Sequence, residues 1–504
     1  MLLPDVKVAV ATGESRISFR TSSPGFRIVS DHESFDVKAD VLQVTLNAPA
    51  AMLEEKRYWY GVAHTQPTAE DWLNEARKID PEAYLWLFGL TPAKSGVWQP
   101  WGWRLYATEK LENFFYKPPH GSPVLIAEEP VEFHSKIRHI TPSISLSNGD
   151  KVVRTFTAGF VIQAEGSIQL IAAKVGKDYH WEHQETLDFG SRIWVDTGSD
   201  GMLCCGVDVE LDDYVASVNS SEMPVESPLE FLKAQVVAAR SWLLANWGTH
   251  HPDDPFVICN GDHCQCFYGG SRVKELSRRA VSQTCGDLLF NNDRVCDARY
   301  AKSCGGVTEP ARNVWQFVDQ PYLRNLRDLP DEPVMDLSRE EDFIAFAKAG
   351  SDVLSCCAPR YADFSGENLG HAQQGYRWTR KLSGQELRDI LSTKMGNDPG
   401  EIIDILPLRR GPSGRLIEIE IIGSKRRFKV SPELEIRRLL SRSHLPSSAF
   451  RIEKSGQGFL LSGMGWGHGV GLCQVGGVGL ALKGWDYKQI LRHYYPDTTV
   501  TRSY

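Results

Sequence analysis

"NSSEMPVESPLEFLKAQVVAARSW", residues 219–242, holds three glutamates within nine positions beside the start of an apolar helix. Leu229, Leu232, Val236, Ala239 and Leu243 recur at helical spacing and form one buried stripe. Lys233 and Arg240 lie two turns apart on a neighbouring face. Ser227-Pro228-Leu229-Glu230 fits a capping box, with Ser227 as N-cap, Pro228 at the first helical position and Glu230 reaching back to the cap. That spacing gives Glu230 a structural task and makes Glu226 a solvated neighbour of the helix start. Glu222 is different. It follows the strand-like "YVASV" and precedes Pro224, which holds its neighbour extended. From such a strand end a glutamate either projects into a cleft or stands in solvent, and position alone leaves both readings open.

Working outward, the chain has 504 residues, 42% hydrophobic and 24% charged, an ordinary balance for a globular protein. Its length calls for two or more domains or one large elaborated one. A net charge of −8 without a long basic run argues against sequence-independent nucleic-acid binding. No apolar run reaches the roughly 18 residues of a membrane span. The N-terminus, "MLLPDVKVAVATGESRISF", lacks a basic region and a long apolar core, so no secretory signal is visible. The 11 cysteines cluster in short groups, which reads as metal binding or buried thiols rather than a disulfide framework.

Residues 5–50 alternate in strand fashion. "RYWYGVAH" and "AYLWLFGL" read as strands around the helix "AEDWLNEARKID", followed by a loop carrying Trp98, Trp101 and Trp103. With Trp86 these suggest an aromatic surface, either a packed accessory subdomain or a glycan-binding module. Short strands fill 126–215, a hairpin-rich sheet spans 401–431, "SPELEIRRLL" is a helix capped by Ser431, and "WDYKQILRHYY" is a short amphipathic helix. The fold class expected is α+β, mostly antiparallel strands with several helices around a cleft, plus a small strand-helix-strand insert. The borders expected are 1–54 for an N-terminal β segment, 55–125 for the Trp-rich insert and 126–504 for the main domain.

Three further stretches concentrate chemistry. "HHPDDPFVICNGDHCQCFYGG" (250–270) offers His251, Cys259 and Cys264 as three ligands for zinc, with His263 or Cys266 as a fourth; buried thiols are the competing reading. "CDARYAKSCGGVTE" (296–309) holds Cys304 at a tight turn, as nucleophile, ligand or core thiol. "GMGWGHGVGLCQVGG" (463–477) carries seven glycines around Trp466 and His468. It fits neither a dinucleotide fingerprint nor a P-loop, and leaves a saccharide wall or a buried glycine-rich turn.

Taken in order with "DDYVASVNSSEMP", "PYL" and "YRWTRKLSGQEL", these motifs resemble the stage II sporulation protein D / amidase-enhancer family of peptidoglycan-acting proteins, over roughly residues 130–500. The resemblance implies lytic cleavage of glycan strands, typically stripped of stem peptides, with Glu222 of the "SEM" motif as the acid. It implies a structural zinc on His251, Cys259 and Cys264. It also implies a cleft for which Lys233, Arg240, Gln265, Trp378, Trp466, His468 and Gln474 are the candidates. One carboxyl suffices for a lytic transglycosylase, whereas a glycoside hydrolase normally uses two. Two other classes compete. A zinc hydrolase is disfavoured by thiolate-rich ligation and by the lack of an HExxH motif. A non-catalytic binder that activates a cell-wall amidase fits the second family name. The substrate implies the cell envelope, periplasm or exterior, whereas no secretory signal is visible and the many cysteines also suit a reducing cytoplasm.

Overall fold

The computed structural model describes residues 5–49, 51–63, 66–92, 98–107, 124–176, 182–224, 227–261, 263–315, 320–349, 355–357 and 376–504. Glu226 lies outside them. The described residues form an α+β fold of mostly antiparallel sheets and nine helices. Alternation in the N-terminal residues builds two sheets. One has seven strands, in the order Ile258–Cys259, Asp5–Glu14, Leu203–Glu210, Arg192–Thr197, Phe160–Gln163, Phe26–Val29 and Ser34–Val37. The other has six, including Arg16–Thr21, Val41–Ala48, Ser143–Asn148 and Ile168–Val175. Inward residues of both, such as Val8, Phe19, Val44, Leu146, Ile162 and Ile193, share one apolar core.

The Trp-rich region forms a separate four-stranded antiparallel sheet with helix α1 (Gln66–Arg77) packed on it. Its strands run past the 55–125 borders, from Ala51–Ala63 to Val124–Ile140. The expected tryptophan loop is instead a strand, Trp98–Ala107, paired to Tyr84–Pro92. Its rings are partly buried and contact other residues of the protein. Trp101 Nε1 donates to Thr91 Oγ1, and Trp98 meets Tyr504 edge-on at 6.0 Å. The unit docks on the main body through Gly89 N to Trp247 O and Trp86 Nε1 to Gly248 O.

Helix α2 (Leu211–Glu222) contains "YVASV", which therefore is not a strand. Leu211, Tyr214, Val215 and Val218 fall on one helical face and are all fully buried, and that burial outweighs the β preference of the valines. Glu222 is the last residue of this helix. Helix α3 (Leu229–Ala245) is buried from Phe231 onward except at Lys233, so it is enclosed on every side rather than along one stripe. It lies against α2, α4 (Glu275–Gln283), the strand Asp287–Asn291, and two C-terminal helices described below.

The capping box does not form. Pro228 is the N-cap of α3 and no side chain caps it. Ser227 Oγ is buried and makes no hydrogen bond among the described residues. Glu230 instead binds Lys233 at 2.6 Å and accepts the N–H of Tyr487 at 3.0 Å. A one-residue shift of the helix start takes Glu230 away from the cap, and a tertiary donor claims it.

Among the described residues, α5 (Glu340–Lys348), α6 (Gly384–Met395) and α7 (Glu433–Leu439) accompany two three-stranded sheets over 377–464. The sheet strands, α6 and α7 share a second core around Leu382, Leu391, Ile419 and Leu461. Ser431 does not cap α7, whose N-cap is Pro432. The last two helices, α8 (Gln474–Leu482) and α9 (Tyr487–Tyr494), both pack on α3, and a final strand, Thr499–Arg502, pairs with Asp287–Asn291. Asp486 and Gln489 make a full capping box on α9.

Arg240 is fully buried in α3 and donates to Asp212 Oδ1 at 2.8 Å and to the carbonyls of Thr284 and Asp287. Arg240→Leu leaves those acceptors unmatched. It should lower unfolding free energy by about 3 kcal/mol, read from the denaturant midpoint. Burial also pushes the His493 imidazole down to about 4, so it is neutral in the fold and protonates near pH 6.5 once unfolded. Its stabilising share is whole above pH 6.5 and is lost as the pH falls toward 4, about 1 kcal/mol by pH 5.5. His493→Phe should flatten that part of the stability–pH curve.

Candidate active site and metal centre

Glu222 ends α2 with its carboxylate turned into the protein, where four separate segments converge on it. Oε1 accepts from Tyr300 Oη at 3.1 Å and from the Cys266 N–H at 3.3 Å. Oε2 accepts from Gln235 Nε2 at 3.2 Å and from Gln474 Nε2 at 3.3 Å. These donors offset the unfavourable placement of a negative charge at a helix C-terminus. Gln235 comes from α3, Cys266 from the loop after the cysteine motif, Tyr300 from the strand Tyr300–Ala301, and Gln474 from the first turn of α8. A second layer steadies the first. Gln265 donates to Tyr300 Oη at 3.1 Å and to Ala239 O, and accepts from Tyr214 Oη at 3.0 Å. Burial holds the Lys302 ammonium below its ordinary value, while the charge of Glu222 acts in the opposite direction.

The structure brings Gln265 and Gln474 to Glu222 and gives other expected cleft residues different work. Arg240 faces Asp212, as described, and not the acid. Lys233 pairs with Glu230 and lies 5.8 Å from the Tyr487 ring. Trp378 packs over Gly463 and donates to Gly465 O at 3.2 Å within the second unit. Trp466 bridges to Ser303 through both backbone groups. His468 accepts from Val470 N and meets Trp315 edge-on at 4.8 Å, with Arg299 stacked 3.9 Å from the same Trp315 ring. Burial drives the His468 imidazole well below its ordinary value, so it is neutral. The glycine run packs tightly on protein: a side chain at Gly469, whose φ is +73°, would sit 2.3 Å from Arg415 Cζ.

Gln235, Tyr300 and Lys302 were not anticipated. The signal available for Gln235 was a lone amide inside the apolar run "AQVVAA". For Tyr300 and Lys302 it was a pair of polar side chains alternating along "RYAKS".

Beside this site His251, Cys259, His263 and Cys264 gather, their donor atoms all within 4.8 Å of one another. His263 is thus the fourth member, while Cys266 turns its N–H to Glu222. His250 instead packs on Trp242 at 5.2 Å. His251 Nε2 lies 3.3 Å from Cys264 Sγ, and Cys259 Sγ lies 3.3 Å from His263 Nε2. Asp254 Oδ2 fixes His251 Nδ1 at 3.0 Å, and Gly261 N donates to Cys259 Sγ. A hydrogen bond from Cys264, followed by those of the two imidazoles, pulls the Cys259 thiol far below its ordinary value. Two imidazoles, two thiols and a carboxylate orienting one imidazole are a donor set that could hold a metal ion, and they fit the tetrahedral zinc class.

Comparison with known proteins gives the following similarities. The profile of the stage II sporulation protein family matches residues 203–290, which include Glu222 and the cluster His251, Cys259, His263 and Cys264. A domain of unknown function (DUF8618) matches residues 309–471. The amidase enhancer of Bacillus subtilis is 28% identical over 301 residues, 56% of this chain and 39% of that protein. An uncharacterized protein of Brachyspira hyodysenteriae is 28% identical over 289 residues, 57% of this chain and 66% of its own length. Stage II sporulation protein D of Bacillus amyloliquefaciens is 24% identical over 311 residues, 58% of this chain and 75% of that protein. The chain therefore spans less than two thirds of the first two relatives. The chain thus carries the stage II sporulation protein domain over residues 203–290 and is similar to amidase-enhancer and stage II sporulation protein D proteins.

Asp254→Asn keeps the size of the group that orients His251 but removes its charge. It should weaken metal retention about 10- to 100-fold, read by competitive titration against a chromophoric chelator.

Proposed function

We propose that this protein is a peptidoglycan lytic transglycosylase that cuts between N-acetylmuramic acid and N-acetylglucosamine with Glu222 as the single acid and base. The observation that carries the reading is the shell of Glu222: two amides, a phenol and a backbone N–H on one carboxylate, with an ammonium nearby. A hydrolase normally needs a second carboxyl to activate water, and this shell is built around one.

In the first step Glu222 delivers a proton to the bridging oxygen, the C1–O bond breaks, and positive charge develops on the muramyl ring. In the second the resulting carboxylate takes the C6 hydroxyl proton while that oxygen closes on C1. The product is a 1,6-anhydro ring, no water is consumed, and Glu222 regains its proton. Gln235 is suited to both states. Its Oε1 is buried and makes no hydrogen bond among the described residues, so rotating the amide lets it accept from a protonated Glu222. Zinc held by His251, Cys259, His263 and Cys264 would act structurally, tying down the loop that presents the Cys266 N–H. Such work places the protein in the cell envelope.

The name of the Bacillus subtilis relative favours a second reading, a peptidoglycan-bound protein that activates a cell-wall amidase without cutting glycan. Glycan strands stripped of stem peptides, incubated with the full chain and analysed by mass, separate the two. The wild type should release anhydro-muramyl ends, and Glu222→Gln should lower the rate about 10²- to 10⁴-fold. Reducing ends would indicate a hydrolase. No ends at all, with amidase stimulation intact in Glu222→Gln, would favour the second reading.

A further inference from the structure

A second cluster lies on the far side of the segments that carry Tyr300 and Gln474. Cys304, Asp328, Cys357 and Cys473 are all buried, and their donor atoms lie within 4.8 Å of one another. They come from four places: the turn after Tyr300–Ala301, the Asp328 loop, the short segment 355–357, and the residue that caps α8.

We propose that these four residues form a second metal site, for a zinc-class ion with three thiolates and one carboxylate. The first argument is distance. Metal–sulfur bonds of about 2.3 Å imply a sulfur–sulfur edge of about 3.8 Å in a tetrahedron. Cys304 Sγ and Cys357 Sγ are 3.8 Å apart, far beyond the roughly 2.05 Å of a disulfide.

The second argument is what faces the sulfurs. Gly306 N donates to Cys304 Sγ, and both Cys304 N and Gly476 N donate to Cys473 Sγ, each at 3.3 Å. Donors aimed at sulfur favour thiolate. The contact from Gly306 to Cys304 repeats the one from Gly261 to Cys259 in the first cluster, where the N–H two residues after the cysteine also points back at its sulfur. A side chain at Gly476 would lie 2.2 Å from Asp328 Oδ1, so only glycine allows this approach.

The third argument is the outer layer. Asp328 Oδ1 accepts from Tyr494 Oη at 2.5 Å, and Oδ2 accepts from Ser355 Oγ at 2.7 Å and from Cys357 N at 2.6 Å. Oriented carboxylates of this kind surround protein metal sites. Holding three thiolates and a carboxylate together out of water is unfavourable unless a cation meets their charge. Binding a divalent ion releases the three thiol protons, and the N–H and O–H donors above take up the remaining negative charge. The ion would fasten Tyr300–Ala301 to Leu472–Cys473, the parallel pair that carries two of the donors to Glu222. It is a positioning site and touches no reacting atom.

The test is metal content per chain by mass spectrometry on the full-length protein, produced with zinc and purified without chelator under reducing conditions. The wild type should hold two equivalents. Cys357→Ser, Cys473→Ser and the first-site variant Cys264→Ser should each hold one. Cys356→Ser should keep two, because Cys356 faces Lys483 outside the cluster. A wild type with one equivalent, or a Cys357→Ser variant that keeps two, overturns the proposal. So does an intact mass lighter by two hydrogens with a peptide link between any two of Cys304, Cys357 and Cys473. Cobalt titration of the stripped wild type gives an answer that requires no variant to fold. Each of two equivalents should add thiolate charge-transfer absorption, the three-thiolate site more than the two-thiolate site. Saturation after one equivalent sinks the idea.

Discussion

The enclosure of α3 is the constraint on which the rest depends. A helix buried on all sides cannot leave its polar side chains to water, so each must find a partner in a neighbouring element. Arg240 takes Asp212 and two carbonyls, Ser241 accepts the N–H of Leu289, Asn246 reaches Asp297, and Gln235 reaches Glu222. Through these bonds one apolar helix sets the positions of α2, the strand after α4 and the candidate acid.

The surroundings of Glu222 follow the same logic at one remove. Each donor to its carboxylate sits next to something that is itself held. Cys266 lies two residues past Cys264 of the metal cluster, and Tyr300 is steadied by Gln265. Gln474 follows Cys473, whose sulfur caps α8. The neutral His468 and the Arg299–Trp315 stack form a partly buried aromatic cluster, while Trp378 belongs to the packing of the second unit.

Part of this was readable from residue order. The cluster His251, Cys259, His263 and Cys264 spans 14 positions, so three of its members were readable from local spacing as candidate ligands. The choice of His263 over Cys266 as the fourth was not, because it depends on which way the loop turns each side chain. Local rules failed where long-range partners intervened. The capping box at Ser227 lost Glu230 to Tyr487, and the strand-like "YVASV" became helix because its apolar residues found a core on one face. The tryptophans of 98–103 read as a loop, since their alternation shows its meaning only once Tyr84–Pro92 pairs with them.

By itself the sequence determined the α+β class, the apolar register of α3, Glu222 as the candidate acid by likeness to a family, and the core of the candidate metal motif. These rest on periodicities and short spacings that neighbouring residues carry. The tertiary structure alone decided what surrounds Glu222 and that Cys304, Cys357 and Cys473 meet at Asp328. Gln474 reaches Glu222 across 252 positions, and Cys304 lies 169 from Cys473. Hydrogen bonds and ligand sets act over a few ångströms of space whatever the separation along the chain, so only the folded arrangement names the partners.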